Sequence, residues 1–256
     1  MERNFRMGRG IFSFFAGIKL GFLGLTVASL VVDIVSFEYP NYWMAYLTNW
    51  SLIYCIVYQI GSLLLTVLKV PSAPYDDPNN QPTNSLLKLT WISISLAAVH
   101  QICVFVLFWG TVYYPGYVLT FSNVMLHGGV MSLILLDGLV MNRTPVRLKH
   151  LVLNMVMAIL YALWSILQNT VCRCNPYAEE EDKDDDAIYD VMRWREEPAI
   201  AIGSFLILLL VVLPLLQIFL WAVSLPGRHY LSSSSPKNAA EVVVVADAAA
   251  DDMNDV

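Results

Sequence analysis

The chain has 256 residues, 57% of them hydrophobic and 14% charged. Soluble domains carry about 25% charged residues, so an ordinary water-soluble domain is excluded. The net charge of −6 argues against nucleic acid and is local, because residues 173–197 alone hold ten acidic and four basic residues.

Apolar blocks longer than about 18 residues are the signature of membrane-spanning helices. Six occur, at about 11–35, 43–68, 86–112, 118–141, 147–171 and 198–225. Each crosses a hydrocarbon core of about 30 Å at about 1.5 Å per residue. The expected fold is all-α, a polytopic membrane helix bundle with one membrane domain over 11–225. Residues 1–10 form an N-terminal tail, 173–197 an acidic loop, and 226–256 a C-terminal tail with the composition of a disordered segment. The first block follows Arg3, Arg6 and Arg9 and is too long for a signal peptide, so it reads as a retained span.

The connections support this division. Glu38-Tyr39-Pro40-Asn41 is a short turn, and 70–85 carries four prolines with Asn and Asp. Tyr114-Pro115-Gly116-Tyr117 is a tight turn. Thr144 is placed as the N-cap of the fifth span, with Pro145 at its first helical position. Lys19 is expected to snorkel towards the basic end of the first span. Tyr39, Tyr42, Trp43, Tyr113, Tyr114 and Tyr117 fit an interfacial belt. Ten lysines and arginines fall on the side of the termini and four on the other, which predicts both termini in the cytosol of an endomembrane or plasma membrane. The bilayer is the one partner this composition names; protein partners stay open.

Cys55 and Cys103 read as small buried hydrophobes, and Cys172 and Cys174 as unpaired thiols. No Cys/His cluster completes a metal site, and no cofactor is expected.

Strongly polar residues inside a span mark function, because leaving them unpaired in lipid is costly. They are Asp33, Thr48, Asn49, Gln59, His100, Gln101, Asn123, His127, Asp137 and Asn154. Depth sorts them. Thr48 lies roughly 8 Å and His127 roughly 14 Å from the non-cytosolic end, with His100 roughly 18 Å in. Thr48, Asn49, Asn123 and His127 therefore share one half of the bilayer. A hydroxyl and an imidazole at similar depth are the ingredients of nucleophilic ester hydrolysis, with histidine as the base that the weak nucleophile needs. Asn123, Asn49 or Asp33 could orient the imidazole; the sequence does not choose. His100 is a supporting polar residue or a structural hydrogen-bonder. Asp137 is expected to pair with Arg143 or Arg147, and Gln59, Gln101 and Asn154 to join helices.

Several motifs carry a resemblance. Tyr46-Leu47-Thr48-Asn49-Trp50, His127-Gly128-Gly129-Val130, Leu135-Leu136-Asp137, Arg143-Thr144-Pro145-Val146-Arg147-Leu148 and Ile188-Tyr189-Asp190 with Trp194 resemble the rolling stone proteins. They are more distantly similar to the androgen-induced-gene membrane hydrolases. The resemblance covers about residues 40–222. It implies a polytopic membrane fold. In the hydrolase branch it implies cleavage of fatty acid esters of hydroxy fatty acids by an intramembrane threonine and histidine, which match Thr48 and His127. Asn49 after the threonine follows the rolling stone branch, which is associated with myoblast fusion. Two functions are thus expected in competition: a threonine-type carboxylic ester hydrolase acting on a lipid ester, or a non-enzymatic membrane protein of adhesion or fusion working through its acidic loop.

Overall fold

The computed structural model describes residues 2–68, 84–172, 175 and 187–233. The proline-rich connection after Lys69, most of the acidic loop, Cys174 and the C-terminal tail from 234 lie outside the described residues, and so do the expectations placed on them. The chain is all-helical in the spans expected. Among the described residues, six helices are long and apolar enough to cross a membrane: α1 (Phe14–Ser36), α2 (Leu47–Val67), α3 (Ser85–Val112), α4 (Phe121–Met141), α5 (Leu148–Val171) and α6 (Pro198–Ser224). It is an integral, multi-pass membrane protein. The side chains that remain exposed are those lipid accepts, such as Val35, Val118, Val152 and Val171.

α3 is the centre. Of its most apolar stretch 67% is buried, against 17% for α1 and α6. A helix that is apolar all round finds partners on every side. Ile94, Ala97, Ala98 and Val99 are fully buried there, packed with Leu52, Cys55 and Tyr58 of α2 and Val130 and Ile134 of α4. Cys55 and Cys103 are buried free thiols. Buried amides join helices as expected in two cases. Gln101 donates to Ser51 Oγ at 2.9 Å, and Asn154 donates to Gln217 Oε1 at 2.9 Å. Gln59 differs: it is buried, yet neither amide atom has a partner among the described residues.

Five local expectations change. α2 begins at Leu47, not near Trp43, because Pro40 opens a separate short turn over Pro40–Ala45. Trp43 is buried and donates to Asp33 Oδ2 at 2.6 Å, so it does not belong to an interfacial belt. Thr144 caps no helix: the backbone is still extended at Arg147, and regular structure resumes at Leu148. Lys19 does not snorkel. Its ammonium is buried and donates to Ser62 Oγ at 2.9 Å and Thr66 Oγ1 at 2.8 Å, with Asn142 Oδ1 beside them. These acceptors replace water, and Lys19, rather than an arginine, is the ion-pair partner of Asp137 at 3.6 Å. Arg147 instead lies over the Trp91 ring, 4.8 Å from its centroid.

The Tyr114–Tyr117 turn forms as expected. Tyr117 N–H donates to Tyr114 O at 3.0 Å, and Gly116 has φ +101°. Proline at the second position and a left-handed glycine at the third are the requirements of a type II turn.

Candidate functional site

The stretch Tyr46–Trp50 sits where the Pro40–Ala45 turn meets α2. Three successive carbonyls of that turn have lost their helical partners, and side chains take their place. Asn49 Nδ2 donates to Trp43 O, the Trp50 and Trp164 indoles donate to Met44 O at 2.8 and 3.0 Å, and Tyr161 Oη donates to Ala45 O at 2.9 Å. Asn49 and Trp50 thus clamp the turn, and the clamp fixes where the first residues of α2 stand. Thr48 is the second of them. The positive end of the helix dipole lies at its hydroxyl, an environment that favours negative charge.

Thr48 Oγ1 lies 3.4 Å from His127 Nε2. The imidazole is held on three sides. Its Nδ1 is 2.9 Å from Asn123 O, one helical turn back. A carbonyl can only accept, so Nδ1 carries the proton and the Nε2 lone pair faces Thr48. Phe108 stacks on the ring at 3.8 Å between centroids and 10° between planes, which sets the ring's rotation. Trp109 Nε1 donates to His127 O at 2.8 Å and fixes the backbone beneath it. The orienting group is therefore the backbone carbonyl of Asn123, not a side chain of Asn123, Asn49 or Asp33.

Both residues line a cavity of about 460 Å³. Asp33, Asn49 and Asn123 line it too, so the structure brings together polar residues from the same end of the bundle. His100 is not among them. Its Nδ1 takes Leu96 O at 2.9 Å, its ring meets Tyr54 edge-on, and it borders a separate small void. Much of the remaining wall is apolar: Phe37, Val104, Leu107, Leu126 and Leu208. A mostly apolar wall with a few convergent polar groups is the make-up of a small-molecule site.

Sequence reasoning overlooked the fourth side of the site. Ile188, Tyr189, Val191 and Met192, from the connection between α5 and α6, also line the cavity. Tyr189 Oη accepts the Leu47 N–H at 3.2 Å, one residue before Thr48. Burial pushes its phenol above the ordinary tyrosine range, although the Leu47 N–H pulls the other way. Ile188-Tyr189-Asp190 was visible as a motif, but nothing in its spacing placed it beside Thr48. Comparison with protein-family models, curated proteins and solved structures found no match.

Proposed function

We propose that this chain is a membrane-embedded lipid-ester hydrolase of the threonine type. The observation that carries the reading is the approach of Thr48 Oγ1 to the unprotonated Nε2 of His127 inside a largely apolar cavity. A separation of 3.4 Å is loose for proton transfer, and such pairs tighten when substrate binds. His127 takes the Thr48 proton as Oγ1 attacks the ester carbonyl. The tetrahedral intermediate collapses, the alcohol leaves with the proton from His127, and the acyl group stays on Thr48. Water, deprotonated by the same Nε2, then releases the acid.

The substrate class is a lipid ester with long acyl chains, such as a fatty acid ester of a hydroxy fatty acid. Such a substrate enters from the bilayer, which keeps its chains in hydrocarbon while the ester reaches the polar end of the cavity. The basic residues at the opposite end support a site facing away from the cytosol.

A fluorophosphonate probe on the purified protein tests this reading, since it phosphonylates an activated hydroxyl. Wild-type protein should label, and Thr48→Ala should not. His127→Ala should label about 10²-fold more slowly, the usual effect of a lost general base. Equal labelling of Thr48→Ala and wild type sinks the proposal.

A further inference from the structure

The hydrolytic reading leaves one group without a role. Attack on an ester carbonyl places negative charge on the former carbonyl oxygen. A donor aimed at that oxygen is commonly the largest single contribution to acyl transfer. His127 cannot serve, because its Nδ1 proton is committed to Asn123 O and its Nε2 is the base. The side chain of Asn49 is committed to Trp43 O, and Asp33 accepts from Trp43.

Tyr189 is placed differently. Its side chain lines the same cavity as Thr48 and His127, and its hydroxyl accepts from the Leu47 N–H next to Thr48. An oxygen that already accepts a hydrogen bond donates its own proton more strongly. We propose that Tyr189 is a catalytic residue, whose hydroxyl donates to the oxyanion formed when Thr48 attacks an ester.

The inference rests on the hydrolase reading. In the resting site the Leu47 N–H donates to Tyr189 Oη, and the Tyr189 hydroxyl keeps its own proton for a group in the cavity. As Oγ1 bonds to the carbonyl carbon, negative charge gathers on the former carbonyl oxygen, the next atom but one. Rotation about the Cζ–Oη bond aims the Tyr189 proton at that oxygen. No bond to Tyr189 breaks, and its proton returns when the intermediate collapses. The Leu47 N–H stays on Oη throughout and belongs to the same helix start that carries Thr48, so donor and nucleophile move as one body.

A purely structural tyrosine, capping the Leu47 N–H, would show itself in stability alone. The experiment therefore measures turnover of a fluorogenic medium-chain acyl ester and thermal unfolding on full-length protein in detergent micelles. Tyr189→Phe keeps the ring and removes the donor. The expected result is a fall in kcat of about 10²-fold, typical of one lost oxyanion donor, with KM within about twofold. Fluorinated tyrosine at position 189 keeps the fold and makes the phenol more acidic. The alkaline limb of kcat should then move to lower pH, because an ionised phenol has no proton to give. A Tyr189→Phe protein with kcat within about threefold of wild type, or an alkaline limb unmoved by fluorination, overturns the proposal. Wild-type protein that neither labels with fluorophosphonate nor turns over the ester overturns both readings. Wild-type activity abolished by Thr48→Ala but untouched at Tyr189 overturns this one alone.

Discussion

A histidine presents two nitrogens, and which of them is the base depends on what the other one touches. In His127 the choice is made by a main-chain carbonyl, Asn123 O at 2.9 Å from Nδ1. This has a direct consequence for Asn123. Its side chain lines the cavity, but the bond that sets the tautomer belongs to its backbone, and any residue supplies that carbonyl. Asn123→Ala should therefore retain turnover within about threefold of wild type, since no transition-state contact is lost. Asn49→Ala, by contrast, leaves Trp43 O without its donor inside a buried turn and should cost about 1–3 kcal/mol of stability. Ester turnover and thermal unfolding of the two variants check this. An Asn123→Ala protein as inactive as Thr48→Ala would mean that the amide itself contacts the reacting atoms. From sequence the pair of asparagines looked equivalent, because both sit in spans beside a candidate catalytic residue. Their difference lies in backbone geometry, which residue type does not encode.

At the scale of elements, the cavity is bounded by helices that are not regular. α3 ends in a π turn over Phe108–Val112, α4 contains one over Met125–Gly129, and α6 one over Leu208–Val212. Phe108, His127 and Leu208 all lie on these turns and all line the cavity. An inserted residue in a helix shifts the face on which later side chains emerge, and such bulges are frequent at functional sites. Periodicity reads a span as one uniform helix, so the six spans were legible while these turns were not. The far end of the bundle is organised by charge instead. Lys19 of α1 reaches Ser62 and Thr66 of α2, and Asp137 of α4 accepts from Ser62 Oγ at 2.7 Å. Tyr58 and Ser62 both bond to Asn142 Nδ2, at 3.1 and 3.0 Å. Here α1, otherwise the least enclosed helix together with α6, gains a specific register. Removing one partner of a buried ion pair leaves the other charge uncompensated, which costs about 3–5 kcal/mol. Lys19→Met should therefore lower thermal stability strongly, and Lys19→Met combined with Asp137→Leu should recover most of the loss. If the double variant unfolds as early as the single one, the pair is not what docks α1. Lys19 was misplaced from sequence for a simple reason: an isolated lysine near a span end can reach water, and only the neighbours of the folded bundle offer it acceptors.

For the whole molecule, chemistry and charge are separated along the membrane normal. The Thr48–His127 site lies where α1, α3 and α5 end and α2, α4 and α6 begin; the Lys19–Asp137 network lies at the other end. The architecture was legible because hydropathy is a bulk property that survives without knowledge of contacts. The depth argument put Thr48 and His127 at one end of the bundle without contacts, yet it counted from Trp43 and set Thr48 too deep, because α2 begins only at Leu47. It said nothing of Tyr189, because no periodicity ties a loop to the site it covers. Orientation follows from the same bulk reasoning. The end away from the site holds Arg143, Arg147 and Lys149 between α4 and α5, Lys88 in the first turn of α3, and Arg3, Arg6 and Arg9 before α1. The turns at the site end after α1 and α3 hold no lysine or arginine. Basic residues near span ends tend to be retained in the cytosol, so the charge bias predicts a site at the lumenal or extracellular face. Six spans put both ends of the membrane domain on one side. In sealed microsomes a C-terminal tag should therefore be removed by added protease, while a cleavage site inserted within residues 176–186 stays protected until detergent is added. Protection of the tag with cleavage of the loop would invert the molecule. Thr48 would then open to the cytosolic leaflet, and the lipid esters within reach would be those of that leaflet.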